Sequence, residues 1–200
     1  YAEAHNNLGN TLKDLGIING AEASYKQAID LKPDYAEAYY NLGILHQNSN
    51  RFKEAEIIYR KAIQFKPGYT EAYNNLGLIL KEMGRLNDAK QTFLKAISIS
   101  TSDAAAHNNL GNTLKEMGRL PEAEAVLRKA IEFDPGFIGA MLNLSLVLNY
   151  MNNLEAEVYL LKEILKIDTD TIGLKAKVNL AISEFLNNDL SDSKRILLES

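Results

Sequence analysis

Six asparagines stand at one register of this 200-residue chain: Asn7, Asn41, Asn75, Asn109, Asn143 and Asn179. Each directly precedes a leucine, and the first five are spaced by 34 residues. Asparagine is a weak helix former, so helix formation alone does not select it six times. What it offers is a carboxamide with two N–H donors and a carbonyl acceptor. That set pairs with the N–H and C=O of an extended peptide whatever the peptide's side chains are. The same atoms can instead bond the backbone of a neighbouring element and orient it, and the two uses are compatible. Asn6, Asn74 and Asn108, with Tyr40 in the equivalent place, widen the polar stripe. Asn10 and Asn112 lie one helical turn further along the same face.

Other chemistry finds little support. The chain has no cysteine, which excludes disulfides and thiolate metal sites, and only His5, His46 and His107 supply imidazole. His5 and His107 take the place held elsewhere by Tyr39, Tyr73 and Met141, and His46 that of Leu12, Leu80 and Leu114, so all three read as packing residues. No serine or carboxylate recurs beside them to make a triad, and no phosphate-binding glycine loop is present. No catalytic residue, metal or cofactor is expected in this segment. Lys13, Lys81 and Lys115 each adjoin an acid and read as solvated mixed charge. The net charge of -4, with both signs interspersed, argues against nucleic acid and anionic membranes as partners. The most apolar stretch, 137–151, is interrupted by Asn143, Ser145 and Asn149 and is too short to span a bilayer. The compartment stays open, with the cytoplasm favoured.

The elements that must position the asparagines follow from the repeat itself. Leu8-Gly9 recurs as Leu42-Gly43, Leu76-Gly77 and Leu110-Gly111, then decays to Leu144-Ser145 and, after a longer step, Leu180-Ala181. Ala21, Ala55, Ala89 and Ala123 keep the same period, as do Ala28, Ala62, Ala96 and Ala130. Gly16, Asn50, Gly84, Gly118 and Asn152 are residues that tolerate the left-handed conformation ending a helix. Each repeat is therefore a helix, a tight turn and a second helix. A mid-helix glycine costs about 1 kcal/mol relative to alanine, so the recurring ones mark close helix contact. The expectation is that they face the small alanines, while Tyr25, Tyr59, Phe93, Leu127 and Leu161 fill the larger gap between hairpins. Pro33, Pro67 and Pro135 are expected to end second helices, and Asp34 with Glu37 forms a capping-box pattern for the next helix.

These positions resemble the tetratricopeptide repeat, over the whole chain and at high specificity. The resemblance implies an all-α, right-handed superhelical solenoid of antiparallel helix pairs whose first helices line a concave face. A single array results, with repeats at about 2–35, 36–69, 70–103, 104–137, 138–173 and 174–200. Tyr1 already sits in repeat register and 195–200 stop within a helical pattern, so the chain reads as a fragment of a longer protein. The asparagine row resembles that of O-linked N-acetylglucosamine transferase repeats, where such residues hold the backbone of protein substrates. The basic clamp by which other members of the family hold a C-terminal carboxylate is missing, since Asn6, Glu71 and Asn75 occupy its places. Late departures include Thr101 and Thr169 for proline, Glu157 and Ser193 for alanine, and a two-residue insertion within 168–180.

The resulting expectation is an interaction scaffold for a protein or extended peptide. The alternatives are the substrate-recognition arm of a transferase whose catalytic domain lies elsewhere, and a self-assembly module. Self-association would run through the last repeats, whose inner face turns apolar at Leu142, Leu146, Tyr150, Val178, Ile182, Phe185 and Leu186.

Overall fold

The computed structural model describes residues 1–167 together with Asn179 and Ser183. Its regular elements are α1 (Ala2–Asp14), α2 (Ile18–Leu31), α3 (Ala36–Asn48), α4 (Phe52–Phe65), α5 (Thr70–Glu82), α6 (Leu86–Ile99), α7 (Ala104–Glu116), α8 (Leu120–Phe133), α9 (Ile138–Tyr150) and α10 (Leu154–Ile167). Among the described residues there is no strand. Consecutive helices pair as hairpins. The chain divides into two compact units, Tyr1–Thr101 holding α1 to α6 and Ser102–Ser200 holding α7 to α10.

The turn inside each hairpin is built as the residue types predict. Gly16, Gly84 and Gly118 have φ of 74°, 73° and 73°, and Asn50 and Asn152 both have φ of 56°. The N–H that follows then reaches back to close the helix end: Ile17 to the Leu12 carbonyl at 2.8 Å, and Arg51 to His46, Arg85 to Leu80, Arg119 to Leu114 and Asn153 to Leu148, each at 2.9 Å. This is the Schellman arrangement, which satisfies carbonyls that the helix itself leaves open.

One expectation about helix ends needs correction and another needs refinement. Asp34 and Glu37 do not form a capping box, because the residue flanking α3 is Tyr35, which leaves Asp34 one position outside; no side chain caps that end. Asp103, which flanks α7 directly, does cap its helix, accepting a hydrogen bond from the Ala106 N–H at 2.9 Å. The second helices α2, α4 and α8 do stop just before Pro33, Pro67 and Pro135, at Leu31, Phe65 and Phe133, but proline is not required for that end. α6 stops at Ile99, in the same register as α4 before Pro67, although Thr101 stands in the proline place.

Packing inside the hairpin also differs from the small-against-small expectation. A Cβ added at Gly9 would lie 2.5 Å from the Tyr25 ring, at Gly43 2.6 Å from Tyr59, at Gly77 2.5 Å from Phe93 and at Gly111 2.5 Å from Leu127. The glycine thus faces the large side chain of its own hairpin, because a bulky group pressed this close to a helix needs a spot without Cβ. The same large residue also bridges outward, as expected: Tyr25 shares a core cluster with Ala21 of its hairpin and with Leu42 and Leu45 of the next. Ala21, Ala28, Ala55, Ala62, Ala89, Ala96, Ala123 and Ala130 are fully buried.

Candidate peptide-binding face

The asparagine register lies on the first helix of each hairpin. In the first unit the Asn41 Nδ2 donates to Asn6 Oδ1 at 3.0 Å, and the Asn75 Nδ2 donates to the Tyr40 hydroxyl at 3.2 Å. In the second, the Asn143 Nδ2 donates to Asn108 Oδ1 at 2.8 Å. The asparagine of one repeat therefore bonds the residue preceding the register in the repeat before it. The stacking role open to these residues is present, but its acceptor is a side chain and not the neighbouring backbone. Asn6, Tyr40 and Asn108, which widen the stripe in sequence, are the acceptor half of that ladder.

Exposure varies along the row. Asn6 is buried and Asn7 exposed, while Tyr40, Asn41, Asn74, Asn75, Asn108, Asn109, Asn112 and Asn143 are half-buried. Asn10 is half-buried too, and its Oδ1 accepts from the Tyr25 hydroxyl at 2.8 Å. In the next hairpin the Tyr59 hydroxyl donates to Gln47 Oε1 at 2.6 Å. Each of these buried phenols thus finds its partner on the first helix. Tyr40 packs its ring 4.8 Å from Tyr69 and 6.0 Å from Tyr59, so it closes an aromatic cluster beneath the row.

Two of the histidines are packing residues, as their register indicates. His107 is buried, 5.2 Å from the Phe133 ring, with Nδ1 2.8 Å from the Asp103 carbonyl oxygen. His46 is buried with its Nδ1 unpartnered. Burial, reinforced by the charge of Arg51, lowers its pKa below the ordinary 6.5. An imidazole whose folded pKa is depressed resists a proton that the unfolded chain accepts. Stability of the first unit should therefore fall as pH drops through 6.5 toward the lower folded value. His46→Leu, which installs the residue found at Leu12, Leu80 and Leu114, is expected to remove that acid-side loss. Urea titrations of both proteins at neutral and mildly acidic pH check this; equal pH slopes would refute it.

Arg51 and Arg85 form a second ladder on the other helices, bonding Glu22 and Glu56 respectively at 2.7 Å. The Arg51 guanidinium, with Lys26, holds the Glu22 carboxyl down at about 2. Among the apolar inner residues of the last repeats, Leu142 and Leu146 are half-buried and Tyr150 is exposed; Val178, Ile182, Phe185 and Leu186 lie outside the described residues.

Two cavities were not legible as motifs. One of about 460 Å³ opens between α4 and α6, floored by Ile63, Tyr73 and Leu76 and edged by Arg60, Gln64 and Lys95. The other, of about 190 Å³, is lined by Leu146, Asn149, Glu157, Asn179 and Ser183. Among the described residues no cluster of His, Cys, Asp or Glu could hold a metal ion, and no helix is long and apolar enough to cross a membrane.

Helical hairpins joined by left-handed turns, locked by glycine against a large residue and laddered by polar side chains, define a helical-repeat interaction scaffold. Family comparison gives that class its name. Models described as TPR repeat and tetratricopeptide repeat match residues 9–50, 36–69 and 69–135, and the chain belongs to the tetratricopeptide repeat family. No curated protein matches the sequence. Among solved structures it is similar to YrrB, described as a TPR protein with an unusual peptide-binding site, at 26% identity and TM-score 0.70 over 88% of this chain and 92% of that one. It shares its fold with MamA 41-end from Desulfovibrio magneticus RS-1, at 17% identity and TM-score 0.76 over 85% and 97% of the two chains. The same holds for Pseudomonas aeruginosa pilF, at 18% identity and TM-score 0.76 over 100% and 97%.

Proposed function

We propose that the first-helix face of each unit holds an extended segment of a partner protein by its backbone, through Asn7, Asn41 and Asn75 in the first unit and through Asn109 and Asn143 in the second. Asn6, Asn10, Tyr40, Asn74, Asn108 and Asn112 border that row. The observation that carries the reading is the division of labour within each carboxamide. Asn41, Asn75 and Asn143 spend an N–H on the preceding repeat, which fixes their rotamers, and remain half-buried rather than covered. A side chain already ordered by one hydrogen bond loses little further entropy when its carbonyl accepts another from a ligand. The similarity to YrrB, whose description names a peptide-binding site, supports the same reading.

Backbone recognition predicts tolerance of peptide sequence and intolerance of a blocked backbone. On a peptide array, Asn7→Ala with Asn41→Ala and Asn75→Ala is expected to weaken binding roughly tenfold or more, while helicity persists. N-methylation of a bound peptide's amides should weaken it comparably. Loss of the two inter-repeat bonds should also lower stability by about 1 kcal/mol each. Binding unchanged by both the substitutions and N-methylation would sink the proposal.

A further inference from the structure

The fifth hairpin breaks the small-residue pattern at a place where the structure holds space. Glu157 stands where the other repeats have Ala21, Ala55, Ala89 and Ala123, and it is only 3% exposed. Its Oε2 accepts a hydrogen bond from Asn149 Nδ2 at 2.9 Å. Asn149 occupies the register of Lys13, Lys81 and Lys115, so the hairpin carries a carboxamide where three others carry a cation. Both residues line the cavity of about 190 Å³, with Ser183, 1% exposed, Asn179 and Leu146 completing it.

A carboxylate withdrawn from water is costly unless a cation or strong donors compensate it, and one neutral amide compensates only in part. At about 190 Å³ the cavity has room for more than a single water or ion. A long side chain with a flat charged head suits it better. A guanidinium brings five N–H donors in a planar fork. The walls offer the acceptors for it: the carboxylate, the Asn179 carbonyl oxygen and the Ser183 hydroxyl, with Leu146 beside the aliphatic stem. Asn149, which lines the cavity from the first helix of its hairpin, is itself exposed.

We propose that this cavity is a side-chain pocket for an arginine of the bound partner, with the Glu157 carboxylate at its base. The inference rests on the peptide-holding reading and adds a point of sequence preference to an otherwise tolerant face. Asn179, the last member of the row in sequence, then serves the pocket.

The test titrates the 200-residue chain with N-acetyl-arginine N-methylamide and, separately, with its neutral isostere N-acetyl-citrulline N-methylamide, following backbone amide resonances by NMR. The arginine probe is expected to shift Leu146, Asn149 and Ser183 and to bind at least about tenfold more tightly than citrulline. Glu157→Gln should abolish that preference. Glu157→Ala, which restores the residue the other repeats use and so keeps the hairpin packed, should abolish it as well. Equal binding of the two probes, or a preference that survives both substitutions, overturns the inference. So does the same set of shifts produced by potassium or magnesium chloride alone. A peptide lacking arginine that still responds to the Asn41 and Asn75 substitutions, in a chain without arginine preference, would defeat this pocket and leave the backbone reading standing.

Discussion

Replacing Phe93 with alanine is expected to destabilise the first compact unit by about 3–5 kcal/mol, since its ring is fully buried between α5 and α6. Gly77→Ala tests the other side of the same contact. Helix propensity alone would make that change favourable by about 1 kcal/mol. A Cβ placed 2.5 Å from the Phe93 ring cannot be accommodated without moving a buried aromatic, and the expected net result is a loss of about 2 kcal/mol. The sign is therefore opposite to what propensity predicts. Combining the two substitutions should cost less than their sum, because the methyl introduced at position 77 would occupy space that the ring has vacated. Gly68 provides the control, with nothing within 4 Å of an added Cβ, and its change to alanine should be nearly neutral. Urea unfolding of these variants beside the parent chain measures all of these effects; strict additivity would show that Gly77 and Phe93 do not share space.

The second large effect is alkaline. Burial pushes the Tyr25 phenol up from 10.0 to about 12, and it raises Tyr40, Tyr59 and Tyr69 as well. A phenol that stays protonated in the folded chain while the unfolded chain releases its proton makes stability fall as pH rises above 10. For Tyr25, whose ring is wholly buried, that displacement corresponds to about 2–3 kcal/mol once the pH passes its folded value. With the other three adding in the same direction, the first unit is expected to lose its helices between pH 10 and about 12. Tyrosinate absorbance should then rise in two stages, the first from the exposed Tyr1, Tyr150 and Tyr159 with helix intact and the second, from the buried phenols, together with the loss of helical circular dichroism. Ionisation of all ten tyrosines near pH 10 with helix intact would contradict the burial of these rings.

Much of the fold was legible because repetition turns each position into several independent observations. The turn residues are the clearest instance. Glycine and asparagine share one register, and the property that unites them is tolerance of positive φ, which all five display. Register could not say which atoms meet. Gly77 and Ala89 recur equally well, and only geometry shows that the glycine lies under Phe93 rather than against an alanine. The cap at Asp103 was hidden for a related reason. Its equivalents Tyr35, Tyr69 and Phe137 are aromatic, so the position looked like packing. The asparagine row was visible as chemistry, yet its acceptors were not, because Asn6, Tyr40 and Asn108 differ in type while serving one purpose. Glu157 is the opposite case. The sequence marked it as a broken rule, and the cavity beside it supplies a reason for the break.

The lock between glycine and large residue closes within a single hairpin, between segments that are neighbours in the chain. Contacts of this kind form early and cheaply, since little loop entropy opposes them. Each hairpin can consequently nucleate by itself and recruit the next through the outward side of the same ring, as Tyr25 does with Leu42 and Leu45. Hydrogen exchange would then report opening that spreads hairpin by hairpin, with a penalty for each ring uncovered, rather than one concerted event.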